Sequence, residues 1–185
     1  DICLTGDRFA YFATSFGIIE YDLQNIEFRS TTFTNENAAS IAADQTHLYA
    51  ALDSGLYRIP RIDNSKENFS RWQKMDSLFG LPSKYKCQLV EVFNQKVYCV
   101  INKDLFVSDK GAPFEKIELD IPSAYSIQWM SAEGSHLAIG LKDNEYGSSA
   151  RFIDAQGNVI KGGADCINRT LYGIQDEKGR MWYAD

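Results

Sequence analysis

A short segment of the sequence recurs, and this recurrence limits the fold more than any other feature. Each copy is an apolar run, a turn rich in Gly, Asn or Asp, and a second apolar run. Tyr11 aligns with Tyr49 and Gly17 with Gly55, so the first two copies lie 38 residues apart. Two short β-rich runs joined by such a turn are typical of a β-hairpin. The clearest copies are residues 11–21, 48–59 and 97–107.

The hairpin forms the middle of a larger repeating unit. An outer strand precedes it and a fourth strand follows it, and the turns between strands are rich in Asn, Asp and Gly, as tight turns require. The predicted outer strands are residues 2–5, 40–43, 88–93, 127–131 and 170–175. The predicted fourth strands are residues 27–33, 69–75, 114–119 and 158–161.

The spacing of these units predicts a β-propeller. The second strands begin near Phe9, His47, Lys96, His136 and Arg180, in steps of 38, 49, 40 and 44 residues. A period of about 40 to 45 residues with four strands per repeat is typical of propeller blades. No stretch has sustained helical periodicity, which excludes a helical solenoid. We predict an all-β partial propeller, with four four-stranded antiparallel blades at about 1–35, 38–82, 84–120 and 124–163 and half of a fifth at 167–185.

The chain is expected to be one piece of a longer propeller. It has neither an initiator Met nor a signal peptide. Propellers close with roughly four to eight blades, whereas the fifth unit here contains two predicted strands. The second of them, at residues 181–184, would present an open blade edge. We expect the isolated chain to form an oligomer through this edge, to close imperfectly, or to be marginally stable.

Composition and charge narrow the classes of partner. The 185 residues are 44% hydrophobic and 13% aromatic, which is enough for a packed core. The net charge is −6 and there is no basic patch, which argues against nucleic acid because phosphate binding needs clustered Lys and Arg. No apolar run approaches the roughly 20 residues of a membrane span.

The four cysteines are predicted to be buried free thiols. A turn at Asn94-Gln95 places Cys99 opposite Val90, so Cys87 is three residues out of line and on the other face of the sheet. A disulfide between Cys87 and Cys99 is therefore not expected. No Cys-x-x-Cys spacing indicates a metal or redox site.

Residues capable of chemistry do not form a recognisable catalytic constellation. His47 and His136 share one repeat position, which favours a structural role over a metal site. Gly-x-Ser-x-Gly and similar nucleophile motifs are absent. Two acid pairs could share a proton or a cation on one strand face, or could be solvated turn residues; they are Glu20 with Asp22 and Asp143 with Glu145. We predict no catalytic, cofactor-binding or metal-binding residue and no cofactor.

Two departures from the repeat are candidate partner surfaces. Residues 60–68 lengthen one turn and residues 143–149 lengthen another. Insertions on repeat scaffolds carry partner contacts in many proteins and are neutral in as many others. The aligned aromatics are expected to fill the space between sheets rather than to face a sugar or lipid; they are Tyr11, Tyr49, Tyr98 and Trp182 on one strand and Phe16, Tyr57, Phe106 and Phe152 on or beside the next.

Two stretches resemble known propeller families. The turn 176–179 followed by Trp182 resembles the repeat of two-component-regulator propellers, in which an Asp-x-x-Gly turn precedes a strand containing Trp. Residues 12–23, and later 48–59 with an extended turn and Trp72, resemble the N-terminal propeller of the PorZ family, accessory components of the type IX secretion system of Bacteroidetes.

The resemblance to PorZ implies a function outside the cytoplasm. The whole protein would carry two seven-bladed propellers and a small C-terminal β-domain, in the periplasm, at the outer membrane or at the cell surface. It would assist sortase-mediated attachment of secreted proteins to anionic lipopolysaccharide without being an enzyme. Its partners would be other secretion-system or envelope proteins, and lipopolysaccharide or another glycan.

Two alternatives remain open from the sequence. One is the periplasmic sensor propeller of a hybrid two-component histidine kinase, which binds oligosaccharide and signals by dimerisation. The other is a propeller enzyme, such as a lyase or glycosidase, with its acids elsewhere in the protein.

Overall fold

The secondary structure is almost entirely β. The computed structural model describes residues 1–109, 111–143, 148–161, 172–175 and 181–184. Short 3-10 turns cover Phe69–Arg71 and Ser77–Phe79. The strands are β1 Ile2–Thr5, β2 Phe9–Thr14, β3 Gly17–Asp22, β4 Glu27–Phe33, β5 Ala38–Ala43, β6 His47–Leu52, β7 Gly55–Pro60, β8 Gln73–Met75, β9 Cys87–Phe93, β10 Lys96–Ile101, β11 Asp104–Asp109, β12 Glu115–Ile117, β13 Ser126–Glu133, β14 His136–Lys142, β15 Ser148–Asp154, β16 Val159–Lys161, β17 Tyr172–Gln175 and β18 Met181–Ala184.

Within each sheet, every strand after the first pairs with the strand before it, in antiparallel order. The sheets are β1–β4, β5–β8, β9–β12 and β13–β16, followed by the hairpin β17–β18. The predicted fold class, with four four-stranded antiparallel sheets and half of a fifth, is confirmed. No helix among the described residues is long and apolar enough to cross a membrane.

The hairpin repeat is visible in the strand register. Tyr11, Tyr49 and Tyr98 occupy equivalent positions on β2, β6 and β10, as their alignment predicted. Gly17 begins β3 with φ +147°. A Cβ at Gly17 would lie 2.0 Å from the Thr32 carbonyl oxygen, so β4 approaches this turn too closely for any other residue.

The chain divides into two compact units, Asp1–Lys116 and Ile117–Asp185. Within the first unit, the sheets bury their faces against one another in chain order. One buried cluster joins the first and second sheets, and it includes Tyr11, Ala13, Ile18, Leu48, Ala50, Leu52, Ile59 and Trp72. A second cluster joins the second and third sheets, and it includes Tyr49, Ala51, Leu56, Met75, Tyr85, Cys87, Val90, Cys99 and Ile101.

In the first unit the first strands of the sheets, predicted as outer strands, lie next to one another. Strand β1 packs beside β5, and β5 packs beside β9. The buried Ser40 of β5 links Asp1, the residue before β1, to Val90 of β9. Its Oγ lies 2.8 Å from the Asp1 carboxylate and accepts from the Val90 N–H at 3.2 Å. This hydroxyl therefore supplies a polar link along strands that are otherwise held by apolar contacts.

In the second unit, β13–β16 form one antiparallel sheet. Leu137, Ile139 and Ile153 are fully buried. Trp129 of β13 lies flat against Gly140 of β14, where an added Cβ would come within 2.1 Å of the indole. The glycine thus provides the space that the indole needs.

Two local predictions were wrong. The fourth strand of the second sheet is Gln73–Met75 rather than 69–75, because Asn68 caps a 3-10 turn: its side chain accepts from the Ser70 N–H at 3.1 Å. Strand β9 contains a bulge, so Cys87 pairs with Ile101 while Val90 pairs with Cys99. The extra residue returns Cys87 to the same face as Cys99.

The two thiols meet inside the second cluster. Cys87 and Cys99 are fully buried and free, as predicted. Cys3 is free but only partly buried, so the prediction of a buried thiol is wrong there. Burial raises the pKa of the Cys99 thiol, and the neighbouring Cys87 raises it further. Cys166 lies outside the described residues.

Candidate functional site

A cleft opens between the second and third sheets where the turns of both sheets come together. We call it the turn cleft. Its volume is about 310 Å³, and a neighbouring cavity of about 260 Å³ shares Asp44, Gln45 and Gln95 with it. The turn cleft is lined by Asp44, Gln45, Thr46, His47, Tyr49, Arg58, Gln95, Val97 and Gly111.

Asp44 organises the turn on one side of the cleft. Its carboxylate accepts from the Thr46 N–H at 2.6 Å, the His47 N–H at 2.7 Å and the Tyr49 hydroxyl at 2.7 Å. Burial acts to raise the pKa of Asp44, but these hydrogen bonds outweigh it and hold the pKa below the usual 3.8. The carboxylate stays ionised and occupied, so it is a turn-forming group rather than a free base.

The Asp44 network also determines the protonation of His47. The Thr46 hydroxyl lies 2.9 Å from the Asp44 carboxylate and 2.8 Å from His47 Nδ1. The carboxylate accepts and cannot donate, so the Thr46 hydroxyl donates its one O–H to the carboxylate. His47 Nδ1–H must then donate to the Thr46 hydroxyl oxygen. Burial and the nearby Arg58 lower the pKa of His47. The neutral imidazole thus keeps Nε2 as an acceptor.

His136 has the same local arrangement in the second unit. Its Nδ1 lies 2.8 Å from the Ser135 hydroxyl, and its ring contacts Phe152 edge-on. Both imidazoles therefore bond to the residue just before them, at the start of the second strand. No group of three or more His, Cys, Asp or Glu side chains suited to a metal ion occurs among the described residues.

Arg58 supplies the positive charge of the turn cleft. Its guanidinium stacks on the Phe79 ring, 4.6 Å from the centroid, and its Nε donates to Gln73 at 3.1 Å. Arg61 donates to the Asp44 carbonyl oxygen at 2.9 Å beside the neighbouring cavity. The cleft therefore offers fixed hydrogen-bond donors and acceptors suited to holding a polar group.

The candidate acids Glu20 and Asp22 have separate partners. The buried Asp22 carboxylate accepts from the Arg8 guanidinium at 3.1 Å and from the N–H groups of Gln24 and Asn25. Glu20 instead hydrogen-bonds the Tyr11 hydroxyl, and with burial it raises the pKa of that phenol. The Asp22 carboxylate therefore caps a turn, and the Glu20 carboxylate fills a core position. In the other pair, Glu145 lies outside the described residues.

The insertion at residues 60–68 folds back on the first sheet. Lys66 Nζ donates to the carbonyl oxygens of Arg61 at 3.2 Å and Asp63 at 3.0 Å. It also lies 3.5 Å from Glu20 Oε2, in a pair whose side chains are 15% and 11% exposed. We call this contact the Lys66 latch, because it joins an insertion of the second sheet to the core of the first.

Backbone contacts reinforce the latch. The Lys66 carbonyl oxygen accepts from the Thr32 hydroxyl of β4 at 2.7 Å and from the Trp72 indole at 2.9 Å. At least this part of the insertion therefore has a structural role. The insertion at 143–149 includes residues 144–147, which lie outside the described residues.

The aligned tyrosines fill the space between sheets as expected. Tyr11, Tyr49 and Tyr98 are 4%, 4% and 1% exposed. Phe16 differs, since it is 47% exposed and contacts Phe33. The Trp182 side chain lies outside the described residues.

The turn cleft was not predicted from the sequence. Arg58 lies in the hairpin copy at 48–59, whereas Gln95 and Val97 belong to the next unit. The signal was present in the turns 44–46 and 94–95, which occupy equivalent places in consecutive units. Equivalent turns lie at the same end of neighbouring sheets, and side chains beside them can share one cleft.

Comparisons with known proteins agree with this architecture. The family model described as "TSS9, PorZ, N-terminal beta-propeller domain" matches residues 1–73. This confirms the predicted resemblance over that part of the chain. No curated protein matches the sequence.

Solved structures show the same fold. PorZ of Porphyromonas gingivalis superposes with a TM-score of 0.71 at 16% identity, over 94% of this chain and 21% of that one. The extracellular domain of BT4673 from B. thetaiotaomicron gives 0.65 at 15% identity, over 98% and 25%. Hydrazine synthase of Kuenenia stuttgartiensis gives 0.69 at 15%, over 98% and 54%.

These similarities establish a propeller fold and not an activity, because identities near 15% are shared by propellers of unrelated function. The chain spans about a fifth of PorZ and a quarter of the BT4673 domain.

Proposed function

We propose, from the match of residues 1–73 to the PorZ N-terminal propeller family, that this chain is a non-catalytic binding module of a PorZ-like protein. The whole protein would act in type IX secretion, at the periplasmic or outer face of the outer membrane. It would assist the sortase that attaches secreted proteins to anionic lipopolysaccharide. The family match is the observation that carries this proposal.

The turn cleft supports binding over catalysis. Among the described residues that line it, Asp44 is occupied by three strong hydrogen bonds and His47 lacks a nucleophile to activate. General acid–base chemistry needs a group free to exchange protons with a substrate. Arg58, Gln45 and Gln95 can hydrogen-bond a partner without reacting with it. We therefore place the binding surface of the module at this cleft.

The test is made in a cell that carries the gene. Arg58→Ala and Gln95→Ala are introduced at the cleft, and Lys84→Ala, an exposed residue elsewhere in the first unit, serves as the matched control. The measurement is the fraction of secreted cargo attached to the surface rather than released into the medium. We expect the cleft variants to release more cargo and Lys84→Ala to behave as wild type. Normal attachment after deletion of the gene contradicts the secretion role itself.

A second candidate function is favoured by the BT4673 match, since that protein is described as a one component or hybrid two component system. Under this alternative the module senses a ligand such as an oligosaccharide. Deletion would then change transcription of a small set of genes and leave cargo attachment intact. The same strains therefore distinguish the two functions.

A further inference from the structure

Both walls of the turn cleft belong to this chain. The second sheet and its turns contribute Asp44, His47 and Arg58, and the third sheet and its turns contribute Gln95 and Val97. The cleft therefore does not depend on any sheet outside the 185 residues. Its volume of about 310 Å³ lies at the small end of the range for ligand sites, which suits a group the size of one sugar ring.

The Arg58 guanidinium is a fixed positive charge without an acidic partner. Its position is set by the stack on Phe79 and the hydrogen bond to Gln73, and it lies beside the Tyr49 hydroxyl. None of the ion pairs formed among the described residues includes Arg58. A guanidinium has several N–H donors, and the contacts with Gln73 and Tyr49 leave some of them for an anion that enters the cleft.

The charges around the cleft match a single negative charge. Arg58 lines the cleft and Arg61 lines the neighbouring cavity, and both cavities share Asp44. The Asp44 carboxylate already accepts hydrogen bonds from two backbone N–H groups and two hydroxyls. Two arginines and one carboxylate, with a neutral His47, leave one positive charge. A ligand carboxylate balances it, whereas a phosphate monoester with a charge of about −1.5 to −2 exceeds it.

The other polar groups of the cleft suit a ligand with hydroxyl groups. His47 Nε2 is an acceptor, because Nδ1 donates to the Thr46 hydroxyl. The Gln45 and Gln95 amides, which also line the cleft, can each donate and accept. A ligand that places a carboxylate on Arg58 therefore needs O–H groups beside that carboxylate. A uronic acid has this combination, since it carries one carboxylate on a ring of hydroxyls.

We propose that the turn cleft binds a uronic acid residue of a glycan, with the carboxylate on Arg58 and ring hydroxyls on His47 Nε2 and the Gln95 amide. This inference rests on the proposed function, which places the binding surface at the cleft, and it adds the class of ligand. The C-terminal carboxylate of a peptide has the same charge. It carries one N–H and a variable side chain, however, and the mostly polar lining of the cleft favours the sugar.

The ligand class is tested with matched small molecules and the purified chain. Methyl glucuronoside and methyl glucoside differ only in the carboxylate, glucose 6-phosphate carries the larger charge, and N-acetylalanine represents a peptide terminus. Chemical-shift titration by NMR gives each Kd. We expect a Kd of about 1 mM for the glucuronoside and values at least ~10-fold higher for the other three. Equal affinity for the two methyl glycosides overturns the proposal, as does tighter binding of the phosphate or of N-acetylalanine.

The position of the ligand is tested with variants whose fold is checked by circular dichroism. Arg58→Gln should raise the Kd for the glucuronoside at least ~10-fold, and Gln95→Ala should raise it about 3-fold. The matched control is Arg29→Gln, which removes a positive charge from β4, where Arg29 pairs with Glu27. It should leave the Kd within about 2-fold of wild type, because an exposed charge outside the cleft is screened by solvent. Unchanged binding in Arg58→Gln overturns the proposal.

The binding experiment and the cell experiment fail separately. Uronate binding together with normal cargo attachment in the deletion strain contradicts the secretion role alone. Release of cargo in the Arg58→Ala strain, without uronate binding by the purified chain, contradicts the ligand class alone.

Discussion

Removal of Lys66 tests how strongly the insertion at 60–68 holds the first two sheets together. In Lys66→Met the Glu20 carboxylate keeps its buried position and loses its counter-ion. Breaking a buried pair from one side costs about 3–5 kcal/mol. The side chains here are 15% and 11% exposed and the atoms lie 3.5 Å apart, so we expect the low end, about 3 kcal/mol. With a urea m-value of about 2 kcal/mol/M, the unfolding midpoint falls by about 1.5 M.

The assay is urea unfolding followed by tryptophan fluorescence and circular dichroism. Lys84→Met, at an exposed site, is the control and should unfold with the wild type. The double variant Glu20→Gln/Lys66→Met should recover at least about 1.5 kcal/mol relative to Lys66→Met, because no unpaired charge remains. If Lys66→Met unfolds within about 0.5 kcal/mol of wild type, the latch does not stabilise the chain and the reasoning is refuted.

Three further predictions concern single groups. The pKa of Asp44 is depressed in the folded chain, so its contribution is present above about pH 4 and is lost as pH falls through the folded pKa; urea midpoints between about pH 2 and 6 should therefore depend less on pH in Asp44→Asn, and an unchanged profile contradicts this. Ser40→Ala leaves the Val90 N–H buried without its partner and should cost about 1–3 kcal/mol, measured by the same unfolding curves, with Ser70→Ala as an exposed comparison. Cys87 and Cys99 should resist maleimide until the chain unfolds, because both are fully buried and the thiolate is the reactive form; peptide mapping that finds either one labelled in native protein would show that the second cluster opens.

The sequence predicts the repeat well and its irregularities poorly. Tyr11, Tyr49 and Tyr98 recur because each blade needs a large side chain at one position between sheets, and that need leaves a periodic trace. The bulge in β9 leaves no such trace, since an extra residue in a strand looks like any other residue. The same holds for Asn68, whose capping role depends on a turn that competes with an equally plausible strand.

The site depends on contacts between repeats, which periodicity cannot locate. Lys66 reaches Glu20 across a separation of 46 residues, and the turn cleft combines Arg58 of β7 with Gln95 of a later turn. A single sequence shows that both turns exist and that they are equivalent. It does not show which side chains lean toward each other once the sheets twist.

Ser40 places three sheets under one constraint. Because its hydroxyl hydrogen-bonds the Asp1 carboxylate and the Val90 N–H, a shift of β1, β5 or β9 by one residue would break at least one of these hydrogen bonds. A register shift of one strand would require the neighbouring strands to shift as well. The Ser40 hydroxyl therefore helps to fix the relative register of the three sheets during folding. Loss of the Ser40 hydroxyl would first appear as faster amide hydrogen exchange along β1, β5 and β9 together.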